Sequence, residues 1–431
     1  MQTLIYNVTA VLMDDAHAIL PHACVLVDGG KISSVGTKRP EGFHGDAVDG
    51  NGQVLMPGFV NAHTHIPMTL MRGYGSGCDL QTWLSQYIFP TEDRWDPRAI
   101  RAATGLGLLE MIASGTTCIA DMYMFCDDIA DVVASSGMNA HIDRGCTLFG
   151  DDFDPKTHQG FVEMTALADK WHGYNDGQIQ VDACIHGEYT SNHKLWEEMA
   201  RFARDKNLGM HVHLSETKLE HEECLARNGM TPAATFAKYG VFDTRAIAAH
   251  CVWTTPEDWA ILAAHGVTAV HNPASNLKLG SGIAKIPAMK QAGVNIALGT
   301  DGVSSNNTTD LFSDMKLAAI LHNGATCDPA ALTAYDALEM ATKNGGIALG
   351  RKTGKIQAGY DADLILVDFD RPHLMPCHDV VENLVYAAHG SDVTMTMAHG
   401  KILYRDGKFL TLDVEKIKRE VTDYALPLLF K

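Results

Sequence analysis

VLMPGFVNAHTH, residues 54–65, is an apolar run that ends in two histidines separated by one residue. The run has the composition of a buried β-strand. Because side chains alternate between the two faces of a strand, His63 and His65 point to the same side. Two imidazoles on one face suit two ligands of a single metal ion, although a hydrogen-bonded pair of core histidines has the same spacing. The rest of the chain favours the metal.

Seven further apolar runs follow, each separated from the next by a loop and a longer stretch with helical spacing of apolar residues. The runs are TTCIADMYM (116–124), MNAHIDRGCTL (138–148), IQVDACIHGEY (179–189), LGMHVHLSE (208–216), AIAAHCVW (246–253), VTAVHNPASN (267–276) and VNIALGTDG (294–302). Ile100–Ala113 and His193–Asp205 are two of the helical stretches. Eight strands alternating with helices over roughly 250 residues predict an α/β fold, a parallel (β/α)8 TIM-type barrel.

Both ends of the chain have the pattern of short strands joined by tight turns. VLVDGGKISSVG (25–36) contains a Gly-Gly turn, and TMTMAHGKILYRDGKFLT (394–411) contains an Asp-Gly turn. Neither end can bury a core alone, so we expect the two to pair into one small β-sandwich domain. The predicted division is residues 1–56 and 353–412 for that domain, 57–352 for the barrel and 413–431 for a C-terminal helix.

Composition limits the kind of partner. With 46% hydrophobic and 20% charged residues and a mean hydropathy of -0.06, the 431-residue chain has the composition of a soluble globular protein. Its net charge of -18 argues against nucleic acid or an anionic membrane as partner, since either would require a basic face. The ten cysteines form no CxxC pair and the N-terminus has no basic segment, which favours reduced thiols and a cytoplasmic location. We also expect a homo-oligomer.

Polar residues capable of chemistry lie at or near the carboxyl end of seven of the eight runs, which is the end where a barrel has its active site. They are His65, Asp121, Arg144, His186, His213, His250 and Asp301. Randomly placed histidines would occur as often at strand starts. This bias predicts an active site without reference to any family.

His63, His65, His213 and Asp301 together have the composition of a catalytic zinc site that leaves room for a water molecule. Iron or another divalent ion suits the same ligands. Glu216 follows His213 by three residues and is a candidate proton shuttle; an ordinary loop carboxylate is the alternative.

Three other histidines have less direct roles. His250 is predicted to polarise the water molecule, with a core histidine as the alternative. His211 shares a face with His213 and is predicted to lie behind the ligands or in the core. His271 begins a loop and is assigned a supporting role.

The motifs PGFVNAHTH, HVHLSET, AAHCVW, HNPASN, LGTDGVSSNN and DADLILVD resemble the amidohydrolase superfamily along essentially the whole chain. The stretch HTHIPMTLMRGYGSGCDLQTWLSQYIFPTEDRW (63–95) resembles the methylthioadenosine/S-adenosylhomocysteine deaminases within it. Binuclear members have a carboxylated lysine at the end of the fourth strand. IQVDACIHGEY has none, and the nearest lysine downstream is Lys194, so a single ion is expected.

The resemblance implies a hydrolytic deamination of an adenine nucleoside, with release of ammonia. In it Asp301 accepts a proton from the attacking water, His250 orients that water, and Glu216 protonates the adjacent ring nitrogen. The alternatives are a deaminase or hydrolase of another nitrogen heterocycle (guanine, an oxidised purine or a triazine) and a scaffold without activity. The scaffold is disfavoured because no ligand is missing.

The resemblance also implies substrate contacts. Trp83 and Glu92 would hold the ribose end, Arg144 would reach the far end of the nucleoside, and His186 would contact the purine. Each has a plainer alternative: a core tryptophan, a solvated carboxylate or a salt-bridge partner.

The sequence departs from the family at the segment after Arg144. Members that use S-adenosylhomocysteine well are expected to have a second arginine there. The segment FGDDFDPKTHQG (149–160) has only Lys156 among three aspartates. We therefore expect a preference for short, uncharged 5′ groups.

Overall fold

The computed structural model describes residues 2–430. Its strands are β1 (Thr3–Val11), β2 (Ile19–Asp28), β3 (Lys31–Gly36), β4 (Asp46–Asp49), β5 (Val54–Pro57), β6 (Phe59–His65), β7 (Thr116–Tyr123), β8 (Asn139–Arg144), β9 (Ile179–Gln180), β10 (Ala183–Ile185), β11 (Met210–Leu214), β12 (Ala246–His250), β13 (Thr268–His271), β14 (Asn295–Leu298), β15 (Asp301–Gly302), β16 (Leu364–Val367), β17 (Val393–Ala398), β18 (Lys401–Arg405) and β19 (Lys408–Phe409).

The α-helices connect these strands. They are α1 (Leu80–Trp83), α2 (Phe89–Glu92), α3 (Pro97–Ala113), α4 (Cys126–Ser136), α5 (Gln159–Trp171), α6 (Tyr174–Gly177), α7 (His193–Lys206), α8 (Lys218–Asn228), α9 (Pro232–Lys238), α10 (Pro256–Ala264), α11 (Pro273–Lys278), α12 (Ile286–Gln291), α13 (Val303–Asn306), α14 (Leu311–Thr326), α15 (Ala334–Ala341), α16 (Lys343–Ala348), α17 (Val380–Tyr386), α18 (Val414–Arg419) and α19 (Leu426–Leu429). Within residues 2–430 no helix combines the length and the apolar character that crossing a bilayer requires.

Two parallel five-stranded sheets carry the predicted runs. Their strand orders are β15-β6-β7-β8-β9 and β10-β11-β12-β13-β14, and every pairing within them is parallel. Helices α3 and α7 coincide with the predicted helical stretches. The α/β class is therefore confirmed.

The prediction of one continuous strand over residues 54–65 is wrong, because the run divides at Gly58 into β5 and β6. The Gly58 amide donates to the carbonyl of Asp363, 2.9 Å away, instead of continuing a ladder. A Cβ at this position would lie 2.2 Å from the side chain of Thr117, so only glycine fits. The division places β5 and β6 in different sheets.

The predicted fourth and eighth runs are divided as well. The fourth forms β9 and β10 in different sheets, and the eighth forms β14 and β15 on either side of Gly299. A Cβ at Gly299 would lie 2.4 Å from the side chain of Asn272 and 2.8 Å from the carbonyl of His63. This close approach brings the segment with Asp301 against the histidine strand.

Strands from both chain ends form one nine-stranded sheet, in the order β19-β18-β17-β16-β5-β1-β2-β3, with β4 paired to β1. The two predicted turns are confirmed. Gly29 and Gly30 have φ of 55° and 80°, and Asp406 and Gly407 have φ of 47° and 79°, as two-residue hairpins require. The sheet buries an apolar cluster that draws on both ends, including Ile5, Val25, Leu55, Leu364 and Met395.

Candidate active site

A cavity of about 370 Å³ opens at the carboxyl ends of the parallel strands. Nine of the ten residues predicted to bind the metal, bind the substrate or act in catalysis line it: His65, Trp83, Glu92, Arg144, His186, His213, Glu216, His250 and Asp301. The strand-end residue Asp121 does not, and its buried Oδ1 accepts from the amide of Ile66 at 2.6 Å. His63 is completely buried directly behind, with its ring centroid 4.8 Å from that of His65. The structure therefore brings together residues that lie up to 238 positions apart in the sequence.

Four potential metal donors converge beside this cavity. The Oδ1 atom of Asp301 lies 3.2 Å from Nε2 of His65 and 3.5 Å from Nε2 of His63. Nε2 of His213 lies 3.4 Å from Nε2 of His65. Separations of this size between donors suit a shared ion, because each donor would then lie about 2 Å from it.

Hydrogen bonds at the opposite ring nitrogens fix which nitrogen of each ligand histidine faces the cluster. Nδ1 of His65 donates to the carbonyl of Met122, and Nδ1 of His213 donates to the carbonyl of His186 at 2.6 Å. Among the described residues, Nε2 of His63 is a buried nitrogen without a hydrogen-bond partner. Three Nε2 atoms directed at one point, one of them unpartnered, fit a metal ion.

The protonation states of His63 and Asp301 support the same fit. Burial opposes protonation of His65, but Asp301, the carbonyl of Met122 and Asp121 together raise its pKa to about 9, so His65 would release a proton on binding an ion. Burial lowers the pKa of His63 to about 3, so its imidazole is neutral, as metal binding requires. Burial opposes ionisation of Asp301, but the adjacent imidazoles of His63 and His65 hold its pKa well below the usual range. Oδ2 of Asp301 accepts from the hydroxyls of Ser275 at 2.5 Å and Ser305 at 3.0 Å, which leaves Oδ1 for the cluster.

His63 is oriented by a buried hydrogen-bond chain. Its Nδ1 lies 2.9 Å from Nε2 of His211, and Nδ1 of His211 lies 2.8 Å from Oδ2 of Asp143. Oδ1 of Asp143 accepts from the amide of Asp182 at 2.7 Å. A carboxylate at one end makes His211 donate to Asp143 and accept from His63, which leaves Nε2 of His63 free for a metal. The predicted position of His211 behind the ligands agrees with this arrangement.

His211→Leu is expected to weaken metal binding about 10- to 100-fold, because Nδ1 of His63 loses its acceptor. His211→Gln, which can still accept a hydrogen bond, should lose less. Competition with a chromogenic chelator measures the dissociation constant directly, and thermal unfolding checks that each variant folds. A folded His211→Leu enzyme with wild-type metal affinity would contradict the assigned chain.

His250 lies nearer to the ligands than the sequence suggested. Its ligand nitrogen is within 4.8 Å of those of His63 and His213. Nδ1 of His250 donates to the side-chain oxygen of Asn276 at 2.8 Å, so Nε2 is a free acceptor that faces the carboxylate of Glu216 at 3.8 Å. An imidazole in this position can orient a water molecule between the donor cluster and Glu216.

Glu216 is buried, and burial raises its pKa. Its backbone amide donates to Oε2 of Glu220 at 2.7 Å, while Oε1 of Glu220 accepts from the amide of Ser215 at 2.8 Å. Glu220 thus fixes the turn after β11. Glu220 was not identified from the sequence, although a glutamate in the first turn of a helix is typical of such a cap.

The backbone itself is strained at these strand ends. Ser215, His250 and Asp301 have φ of 48°, 74° and 60°, in the left-handed region that residues other than glycine avoid. Each such residue costs roughly 1–3 kcal/mol, and strain of this kind concentrates at functional sites.

The four predicted substrate contacts all lie on the cavity wall. Trp83, at the end of α1, is 5% exposed and also packs in the main core. Burial raises the pKa of Glu92, and the nearby hydroxyl of Tyr123 acts in the opposite direction. Nδ1 of His186 lies 2.9 Å from the hydroxyl of Thr190. Arg144 pairs with Glu163 at 2.6 Å, so the plainer salt-bridge interpretation is also observed.

Tyr123 and Tyr189 line the cavity but were not identified from the sequence. The hydroxyl of Tyr123 accepts a hydrogen bond from Nε1 of Trp95 at 3.1 Å. Its position at the end of β7 follows the same strand-end rule that identified the histidines, so that rule could have found it.

Known hydrolases resemble this chain along its whole length. A family model described as Amidohydrolase family matches residues 54–403. A 5-methylthioadenosine/S-adenosylhomocysteine deaminase of Syntrophomonas wolfei is 38% identical over 435 residues, 100% of each chain. A 5′-deoxyadenosine deaminase of Methanosarcina mazei is 39% identical, over 98% of this chain and 97% of its own. A solved adenosine deaminase from Xanthomonas campestris with bound zinc has 32% identity and a TM-score of 0.93, over 99% of this chain and 98% of its own.

Proposed function

The chain belongs to the amidohydrolase family, and on that basis we propose that it is a metal-dependent hydrolytic deaminase of adenine nucleosides. The substrates are of the 5′-methylthioadenosine, S-adenosylhomocysteine, adenosine or 5′-deoxyadenosine type, and the products are ammonia and the inosine analogue. One observation carries the proposal. The buried acid Glu216 and a His/Asp donor cluster share one cavity with the aromatic ring of Trp83 and the carboxylate of Glu92.

Members of this family are metal-dependent, and His63, His65, His213 and Asp301 are the residues that would hold the ion. We infer one divalent ion per chain, Zn²⁺ in the first place and Fe²⁺ as the alternative, because imidazole and carboxylate donors suit both. An ion held there lowers the pKa of water toward neutrality and so supplies a nucleophile.

The protein's own groups perform the proton transfers. The carboxylate of Asp301 accepts the proton of the attacking water, and Nε2 of His250 orients that water toward the ring carbon that bears the amine. The carboxyl of Glu216 donates a proton to the adjacent ring nitrogen, which cancels charge as the C–O bond forms. Asp301 returns its proton to the amine as the C–N bond breaks, the new hydroxyl gives its proton to Glu216, and ammonia leaves the keto product. The raised pKa of Glu216 supports its role as the acid.

The remaining contacts orient the nucleoside. Trp83 would pack against the ribose end, Glu92 would accept the ribose hydroxyls, His186 would contact the purine, and Arg144 would lie toward the 5′ group. A free base would need no ribose clamp, so these residues favour a nucleoside over guanine, an oxidised purine or a triazine.

At the level of the fold, we infer that the two parallel sheets close into a (β/α)8 barrel. The bridge between Cys146 and Ile185 and the packing of β14 against β6 support this closure. The sandwich arrangement of the nine-stranded sheet and the boundaries 1–56, 57–352, 353–412 and 413–431 remain part of the proposal. So do a cytoplasmic location and a homo-oligomeric state.

A screen of purine nucleosides and bases tests the function, by following the loss of adenine absorbance on deamination. We expect turnover of 5′-methylthioadenosine, 5′-deoxyadenosine and adenosine. Turnover of guanine or a triazine with none of any adenine nucleoside would overturn the proposal in favour of the alternative.

Metal analysis should find close to one divalent ion per chain, because His63, His65, His213 and Asp301 form a single donor cluster beside the cavity. Dialysis against a chelator is expected to abolish turnover, and Zn²⁺ or Fe²⁺ should restore it. Two tightly bound ions per chain would contradict the single-ion site, and full activity after complete metal removal would contradict the mechanism.

A further inference from the structure

The cavity wall contains more acidic than basic side chains. Among the described residues that line it, Arg144 is the one side chain with a permanent positive charge. Glu92, Asp93, Glu216 and Asp301 contribute carboxyl groups to the same walls. Any anionic part of a substrate would therefore depend on Arg144 for a partner.

Arg144 already has a carboxylate partner. Its Nε donates to Oε2 of Glu163 at 2.6 Å, and its Nη1 donates to the carbonyl of Gly145. Burial works against the charged guanidinium, but the hydrogen bond to Glu163 and the nearby negative groups together outweigh it and raise the pKa of Arg144. Two of the donor nitrogens of the guanidinium are thus used within the protein.

Glu163 is itself held in place. Its Oε1 accepts a hydrogen bond from Nε2 of Gln159 at 2.8 Å, one turn earlier on α5. Both carboxylate oxygens are therefore engaged, one by Gln159 and one by Arg144. With its side chain 41% exposed, Glu163 lies on the solvent side of Arg144, whose side chain is 20% exposed.

The loop that leads from the cavity to α5 adds further negative charge. Thr147 and Phe149 line the cavity, and Asp151, Asp152 and Asp154 follow them on the surface. These carboxylates add to the negative charge of the surface that surrounds this wall.

We propose that Glu163 is a specificity-determining residue. By pairing with the guanidinium of Arg144, it lowers kcat/KM for adenine nucleosides whose 5′ group carries a carboxylate or phosphate relative to those with a neutral 5′ group. The inference rests on the proposed nucleoside deamination. A carboxylate or phosphate tail would have to compete with Glu163 for the guanidinium, and the hydrogen bond between Nε of Arg144 and Glu163 is charge-assisted and partly shielded from solvent.

Glu163→Gln tests the proposal, because it keeps the shape of the side chain and removes its charge. We measure kcat/KM for 5′-methylthioadenosine, S-adenosylhomocysteine and adenosine 5′-monophosphate, whose tails are neutral, zwitterionic and anionic. The ratio of kcat/KM for at least one charged substrate to that for 5′-methylthioadenosine should rise about tenfold, or ~1.4 kcal/mol. The rise should shrink as salt is added, since it is electrostatic.

Asp169→Asn is the matched control. Asp169 lies on the same helix and pairs with Lys206 at 2.6 Å, away from the cavity, so its ratios should stay at the wild-type value. The double variant Glu163→Gln, Arg144→Gln should lose the gain, because the released cation is absent.

Two results would overturn the proposal, and they differ from each other. If the wild type deaminates 5′-methylthioadenosine but Glu163→Gln leaves both ratios within twofold of wild type, the specificity role alone is wrong. If the wild type deaminates no adenine nucleoside, the proposed function fails and the specificity role fails with it.

Discussion

Asp301→Asn is expected to lower kcat/KM for the nucleoside substrate by about 10³- to 10⁴-fold, the loss typical of removing a general base. The substitution keeps the size of the side chain and its contacts with Ser275 and Ser305, but it removes the negative charge that lies 3.2 Å from His65. It should also weaken metal binding, because an amide oxygen is a poorer donor than a carboxylate. Ammonia release and metal content per chain measure the two effects.

Asp336→Asn is the control for that experiment. Asp336 caps α15 and pairs with Lys290 away from the cavity, so its loss should cost some stability and no activity. An Asp301→Asn enzyme that retains more than a tenth of wild-type turnover would refute the role of Asp301 in both metal binding and proton transfer.

Glu216→Gln is expected to lower kcat by about 10²- to 10⁴-fold while the metal content stays at the wild-type value. Two groups of potential metal donors share His63: one with His213 and His250, the other with His65 and Asp301. Glu216 belongs to neither group, but its carboxylate is 3.8 Å from His250. Glutamine keeps the hydrogen-bonding shape and cannot deliver a proton. Turnover and metal content measured on the same sample therefore separate this variant from Asp301→Asn.

The pH profile gives a second measurement for the same residue. Burial raises the pKa of Glu216, so its protonated form persists to higher pH than that of an exposed glutamate. Since the acid acts when protonated, kcat/KM should fall as pH rises through that pKa, and Glu216→Gln should lose this limb. Glu222→Gln, on the exposed side of α8 beside Lys218, should keep the wild-type profile. Loss of metal together with activity in Glu216→Gln would assign Glu216 to the metal site instead.

Sequence reasoning succeeded where the signal is local. Period-two spacing placed His63 and His65 on one face, and the Gly-Gly and Asp-Gly pairs marked two hairpins that the structure contains. The prediction of one continuous strand over residues 54–65 was wrong. The run from 54 to 65 divides at Gly58 because the Thr117 side chain leaves no room for a Cβ, and this contact joins residues 59 positions apart in the sequence.

The residues of the candidate site were likewise predicted where the signal is local and missed where it depends on long-range contacts. Strand ends identified most of the residues around the cavity, since all parallel strands of a barrel present their carboxyl ends on one side. The closeness of His250 to His63 and His213 was not evident, because it depends on how far each strand is shifted against its neighbour. Arg144 had two interpretations in the sequence, and the structure contains features of both.

The sequence by itself determined the family, the α/β class, the candidate ligands and the carboxylates suited to proton transfer, because these depend on residue type and on spacings of a few residues. Only the tertiary structure decided which groups meet. The chain from Asp143 through His211 to His63, and the pairing of Glu163 with Arg144, join residues on separate elements. Such pairs form through sheet order, register and helix packing, and each contact is set by the whole fold and not by its local sequence.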